Sequence, residues 1–79
     1  MTAFVTPTEE LLRDIWSDVL CVDIRDRYQD FFLHGGDSLL ATIVSVKIRQ
    51  QIGVELQPSE IFLRTKLYEL AAHLDDRKE

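Results

Sequence analysis

An all-α fold of four helices, with a short third helix and a long loop between the first two, is predicted by three features of this sequence. Apolar residues recur at helical spacing in three separate stretches. Capping residues, prolines and a glycine mark the ends of those stretches. No pair of alternating apolar–polar runs stands ready to form a strand hairpin. At 79 residues the chain is one small domain. That domain is expected to span 6–75, between frayed tails at 1–5 and 76–79.

The first helix opens at Thr6-Pro7-Thr8-Glu9. Thr6 reads as the N-cap, Pro7 as the first helical residue, and Glu9 as the partner that completes a capping box. Leu11, Leu12, Ile15, Trp16, Val19 and Leu20 then form one apolar stripe, with Arg13, Asp14, Ser17 and Asp18 toward water. Trp16 is expected in the core.

From Cys21 to Asp37 no period is sustained. A connection that long in a small domain signals function, or packing by its own side chains. Phe31 and Phe32 are its expected anchors, helped by Ile24 and Leu33, with Tyr28 flat on the surface. Arg25-Asp26-Arg27 reads as a solvated charge cluster.

The second helix, from Ser38 to about Ile52, is apolar almost all round, which predicts neighbours on several sides. Ser38, Thr42, Ser45 and Arg49, at offsets of four, seven and eleven, share its one polar stripe. Leu39 borders that stripe and fits either a partner contact or the core. Gly53 ends the helix as a C′ glycine. After an extended Val54-Glu55-Leu56, Gln57-Pro58-Ser59-Glu60 opens the short third helix, with Ile61 and Phe62 expected inward. Thr65 is the expected cap of the last helix, whose inner face is Leu67, Leu70, Ala71 and Leu74.

Composition narrows the function. Fourteen acidic against nine basic residues give a net charge of −5, which disfavours nucleic acid and reads as a solubility feature. A single cysteine excludes an internal disulfide, and neither it nor the two histidines lie in a metal-ligand cluster, so no metal site is expected. No apolar run approaches the ~20 residues of a membrane span. The N-terminus lacks the basic and apolar regions of a signal peptide, which points to the cytoplasm.

The stretch from Asp30 to Leu40 carries the chemistry. Gly35 and Gly36 permit positive φ angles after the aromatic pair. Asp37 or Ser38 then supplies an oxygen to cap the next helix. Ser38 thereby sits at a helix N-terminus, where free N–H groups and the dipole favour a phosphate. A catalytic reading, with Ser38 as nucleophile beside His34 and Asp37, lacks the second glycine of a G-x-S-x-G elbow and any preceding strand. So few helices hardly enclose an oxyanion hole, and no catalytic residue is assigned. A cap-only reading leaves the two glycines and the aromatic pair unexplained.

Phe31-Phe32-Leu33-His34-Gly35-Gly36-Asp37-Ser38-Leu39 resembles the attachment motif of peptidyl carrier proteins, the thiolation domains of nonribosomal peptide synthetases. The likeness runs from about Glu9 to Leu74. It implies a four-helix bundle of acyl-carrier-protein type, with 4′-phosphopantetheine from coenzyme A attached covalently at Ser38 and flanked by Gly36 and Asp37. It implies no enzymatic activity of the chain's own. The implied partners are a phosphopantetheinyl transferase, an adenylation enzyme or domain, and condensation, thioesterase or tailoring enzymes. They would meet a monomer at Leu39, Thr42, Ser45 and Arg49.

The sequence departs from that family in three places. Cys21 stands where the family often has glycine, Arg25-Asp26-Arg27 where it has an apolar–Gly–apolar triplet, and Thr65-Lys66 where it has Pro-Thr. Between Ser38 and Ile52 there is no acid, while Lys47 and Arg49 are basic, which favours a peptidyl over a fatty acyl carrier. An acyl carrier of a polyketide or related pathway, and a non-catalytic helical interaction domain, are the alternatives.

Overall fold

The structure, a computed structural model, describes residues 3–78. The helices are α1 (Pro7–Leu20), α2 (Ser38–Gln51), α3 (Pro58–Leu63) and α4 (Leu67–Arg77), with a single 3-10 turn at Phe32–His34 in the long loop. Among the described residues the only β pairing is an isolated bridge between Asp30 and Lys66. The α1 helix packs on α4 and α2, and α2 packs on α3. Trp16, Leu12, Ile15, Phe31, Val44, Ile48, Ile61, Leu67, Leu70 and Leu74 fill the interior.

Most helix ends follow from local chemistry. Thr6 caps α1 by accepting the Glu9 N–H at 3.1 Å, with Pro7 in the first turn. Cys21 closes α1 in the left-handed region, φ 56°, the conformation for which glycine is the usual residue. Gly53, φ 83°, ends α2 and donates its N–H to the Ile48 carbonyl at 3.1 Å. Gln57 opens α3: its N–H donates to the Glu60 carboxylate at 2.8 Å, and its carbonyl accepts the Glu60 N–H at 2.9 Å.

Several expectations are corrected by long-range contacts. Of the tails expected at 1–5 and 76–79, positions 1, 2 and 79 lie outside the described residues. Phe4 is buried in the core beneath the Arg13 guanidinium, and α4 continues to Arg77, so both ends are packed further out than periodicity predicts. The Glu9 carboxylate does not complete a capping box. It accepts the Val5 N–H at 2.9 Å and a forked contact from Arg27.

Arg27 is therefore no solvated charge; its guanidinium also lies over the rings of Tyr28 and Tyr68. Thr65 does not cap α4. Lys66 holds that position, and the Thr65 hydroxyl donates instead to Asp30 Oδ2 at 2.7 Å. Leu33, expected to help anchor the loop, is 83% exposed. Phe62 is not inward but half out, stacked on Phe32 at 4.8 Å.

Candidate functional site

The long loop is held as a platform for the start of α2. Backbone N–H groups of Phe31, Leu67 and Tyr68 donate across to Thr65, Gln29 and Arg27, lacing residues 27–31 to 65–68. Asp30 Oδ1 accepts the N–H groups of Phe32 and Leu33 at 2.9 and 3.2 Å, which starts the 3-10 turn. Burial works against the Asp30 charge, but the Thr65 hydroxyl and those two amides outweigh it and hold the carboxyl below its ordinary value. Phe31 lies beneath the turn, tilted 57° on Trp16 at 5.2 Å and edge-on to Phe32.

The two glycines do different things. Gly35 has φ 98°, the left-handed conformation that the sequence led us to expect. Gly36 needs no positive φ; it is small because Phe31 is beneath it. A Cβ there would lie 2.4 Å from the Phe31 ring and 2.6 Å from its carbonyl oxygen.

Asp37, rather than Ser38, is the N-cap of α2, and its Oδ1 accepts the Leu40 N–H at 2.9 Å. Ser38 is consequently the first helical residue, solvent-exposed, and among the described residues nothing hydrogen-bonds its hydroxyl. His34 does not serve it. The Gln29 side-chain oxygen accepts the Arg25 and Asp26 N–H groups, so its amide nitrogen donates to His34 Nε2 at 3.0 Å. The Nδ1–H tautomer of His34 then donates to the Asp30 carbonyl at 2.9 Å. With Asp37 capping and both His34 nitrogens occupied, no general base among the described residues is aimed at Ser38.

Of the stripe expected to meet partners, Leu39 is 70% exposed, and Thr42 and Arg49 are also exposed. Ser45 is not: it is 8% exposed, and its hydroxyl donates to the Ala41 carbonyl. The reason is angular. The outward arc of α2 is centred on Leu39, Thr42, Ile43 and Val46, and Ser45 falls just past its edge, at about −20° from Ser38 at ~100° per residue.

The same arc leaves Ile43 and Val46 partly exposed, so α2 has neighbours on several sides, as its composition predicts, but keeps one apolar face open. With Leu33, Phe62 and Leu63, these are exposed apolar residues that periodicity missed. The available signal was that four helices provide too few neighbours to cover a rod apolar all round.

Among the described residues no three His, Cys, Asp or Glu side chains form a group that would hold a metal. No helix there is long and apolar enough to cross a membrane. Phosphopantetheine fits the site's own geometry: an exposed, unpartnered hydroxyl on the first turn of a helix, set on a turn that its neighbours fix.

Comparison with known proteins agrees with that fit. Residues 10–74 match the family described as phosphopantetheine attachment site. The chain is 45% identical over 76 residues to the PKS-NRPS hybrid synthetase psoA of Aspergillus fumigatus, covering 90% of this chain and 2% of that protein. It is 41% identical over 66 residues to the pyochelin synthetase PchE of Pseudomonas aeruginosa, covering 84% of this chain and 5% of that one. The chain thus spans only a small fraction of the length of these relatives. Its fold is similar to a chain in the structure of the phosphopantetheine transferase Sfp in complex with coenzyme A and a peptidyl carrier protein. There the TM-score is 0.89 at 28% identity, over 98% of this chain and 100% of the other.

Proposed function

This chain belongs to the phosphopantetheine attachment family, and from that premise we propose that Ser38 is the attachment residue of a peptidyl carrier domain. The observation that carries the proposal is the Ser38 hydroxyl itself, exposed and unpartnered at the first turn of α2 while Gly36 and Asp37 before it are fixed by Phe31 and Leu40. When bound, the arm supplies a thiol that holds an aminoacyl or peptidyl group as a thioester. The chain's residues do the presenting. Gly35 turns the backbone at the site, Gly36 lets it pack onto Phe31, and Asp37 fixes the direction of the first helical residue. The Ser38 oxygen would take the phosphopantetheine phosphoryl group from coenzyme A, whose pyrophosphate bond breaks to release adenosine 3′,5′-bisphosphate. The serine proton would pass to a base of the transferase, since none among the described residues is aimed at it.

The partners in this reading are a phosphopantetheinyl transferase, an adenylation enzyme or domain, and condensation, thioesterase or tailoring enzymes. They meet a monomeric, non-catalytic carrier in the cytoplasm, where coenzyme A is available. The exposed apolar residues Leu39, Ile43, Val46, Phe62 and Leu63 form the docking face, with Thr42 and Arg49 at its polar margin. One small face that serves several enzymes in turn calls for weak, transient contacts. The carrier unit covers the expected 6–75, with Phe4 and Arg77 packed onto it.

The test is intact mass after incubation with coenzyme A, Mg²⁺ and a broad-specificity transferase. One added phosphopantetheine is expected, and none on Ser38→Ala. No addition to the wild-type chain contradicts the proposal.

A further inference from the structure

We propose that the groove between α2 and the 55–57 segment is a binding site for the loaded end of the arm, taking an aminoacyl group with a free α-ammonium. This deepens the carrier reading and rests on it. The groove, of ≈ 270 Å³, is lined by Ser45, Val46, Arg49, Glu55, Leu56 and Gln57. Its place on the helix is the first argument. Ser45 and Arg49 lie seven and eleven residues beyond Ser38, hence within about 20° of it around the helix and about 10 to 16 Å along the axis. The groove therefore lies directly down the rod from the attachment oxygen, on the path of a group tethered to Ser38 and lying along α2.

Its lining is the second argument. The Ser45 hydroxyl is turned back to the Ala41 carbonyl, so it does not project into the groove. Val46 and the largely buried Leu56 supply apolar wall. At the rim Arg49 Nη1 and Glu55 Oε1 stand 3.8 Å apart on exposed side chains, a loose pair that is free to accept other partners.

An aminoacyl thioester presents a carbonyl group one carbon away from an α-ammonium. An arginine beside a glutamate matches that pair: Arg49 donates to the carbonyl, and Glu55 accepts from the ammonium. A peptidyl or N-acyl group has lost the ammonium and with it the Glu55 contact. The groove thus separates a newly loaded carrier from one bearing an acylated chain.

The test compares amide spectra of the ¹⁵N-labelled protein as holo, leucyl-loaded and N-acetylleucyl-loaded forms, each made by transferase from the corresponding coenzyme A derivative and confirmed by mass. Leucyl loading is expected to shift the amides of Val46, Arg49, Leu56 and Gln57, while the N-acetylleucyl form stays at the holo positions there. Glu55→Gln, on an exposed side chain, is expected to return the leucyl-loaded amides to their holo positions with the rest of the spectrum unchanged. Arg49→Gln is expected to do the same. Identical groove spectra for the leucyl and N-acetylleucyl forms, or leucyl shifts that survive Glu55→Gln, overturn the groove and leave the carrier reading standing. A chain that accepts no arm at Ser38 overturns both.

Discussion

Arg27 grips Glu9 across the fold, Nη2 to Oε2 at 2.9 Å and Nε to Oε1 at 3.0 Å, and joins the long loop to the start of α1. The glutamate is almost wholly buried and also receives the Val5 N–H, so the pair fixes the N-terminal segment as well. Removing Arg27 leaves a buried carboxylate without its cation, the costly way to break such a pair. Arg27→Ala is expected to lower the urea midpoint clearly, while Arg25→Ala, at a largely exposed side chain, leaves it unchanged. Arg27→Lys recovers only part of the loss, since an ammonium does not reproduce the fork. Equal midpoints for the two alanine variants contradict this role.

Acid should loosen the fold by protonating Glu60. Glu60 accepts from His73 Nε2 and Arg77 Nη1, each at 2.6 Å, and from the Gln57 N–H. The His73 hydrogen bond leads in holding its carboxyl down to about 2 from an ordinary 4.5, and Glu9 and Asp30 are also lowered. A carboxyl lowered on folding adds stability above its unfolded value, and that stability is lost as pH falls through the folded one. Thermal midpoints should therefore fall from pH 4.5 toward 2, with a shallower slope in Glu60→Gln. Parallel curves for the two proteins contradict the assignment.

The glycines of the turn should fail differently. Gly36→Ala drives a methyl into Phe31 and is expected to cost about 1–3 kcal/mol and to slow modification of Ser38. Gly35→Ala meets nothing within 4 Å but keeps a left-handed backbone, at a cost of about 1–2 kcal/mol. Chemical denaturation reads both costs; amide shifts that spread to Phe31 and Trp16 mark the clash at Gly36 alone.

Cys21 sits at φ 56° at the end of α1, strained for any residue with a Cβ. Cys21→Gly is expected to stabilise the domain by about 0.5–1 kcal/mol, seen as a higher urea midpoint at constant slope. A lower midpoint shows that the Sγ contact to the Asp18 carbonyl matters more than the backbone.

Partner contacts should separate from stability on the docking face. Leu63 is 75% exposed, so Leu63→Ala is expected to leave stability within about 0.5 kcal/mol while slowing loading by the partner enzyme. Arg49→Glu should likewise slow loading, through the association rate and with a salt dependence. Loading rates unchanged in both variants remove α3 and the polar margin of α2 from the interface.

What the sequence made legible was local. The Thr6-Pro7 start, the Gly53 stop, the inner face of α4 and the exposed Ser38 after Gly-Gly-Asp all rest on interactions within a few residues. What it hid was long-range. Thr65 has a capping residue's chemistry, and only the arrival of Asp30 from 35 positions away redirects its hydroxyl. Glu9 was free to cap its own helix until Arg27 came within reach. Ser45 keeps the helical offset of an exposed stripe, yet it lies on the side that the segment after Gly53 covers.

In the proposed carrier, Ser38 and no other hydroxyl holds the arm. Fragment-ion mapping of the transferase-treated protein measures this most directly. The phosphopantetheine mass is predicted on Ser38 alone, with Thr42 and Ser45 unmodified. The same mass on either of those residues, or on a hydroxyl outside α2, would show that Ser38 is not the attachment residue.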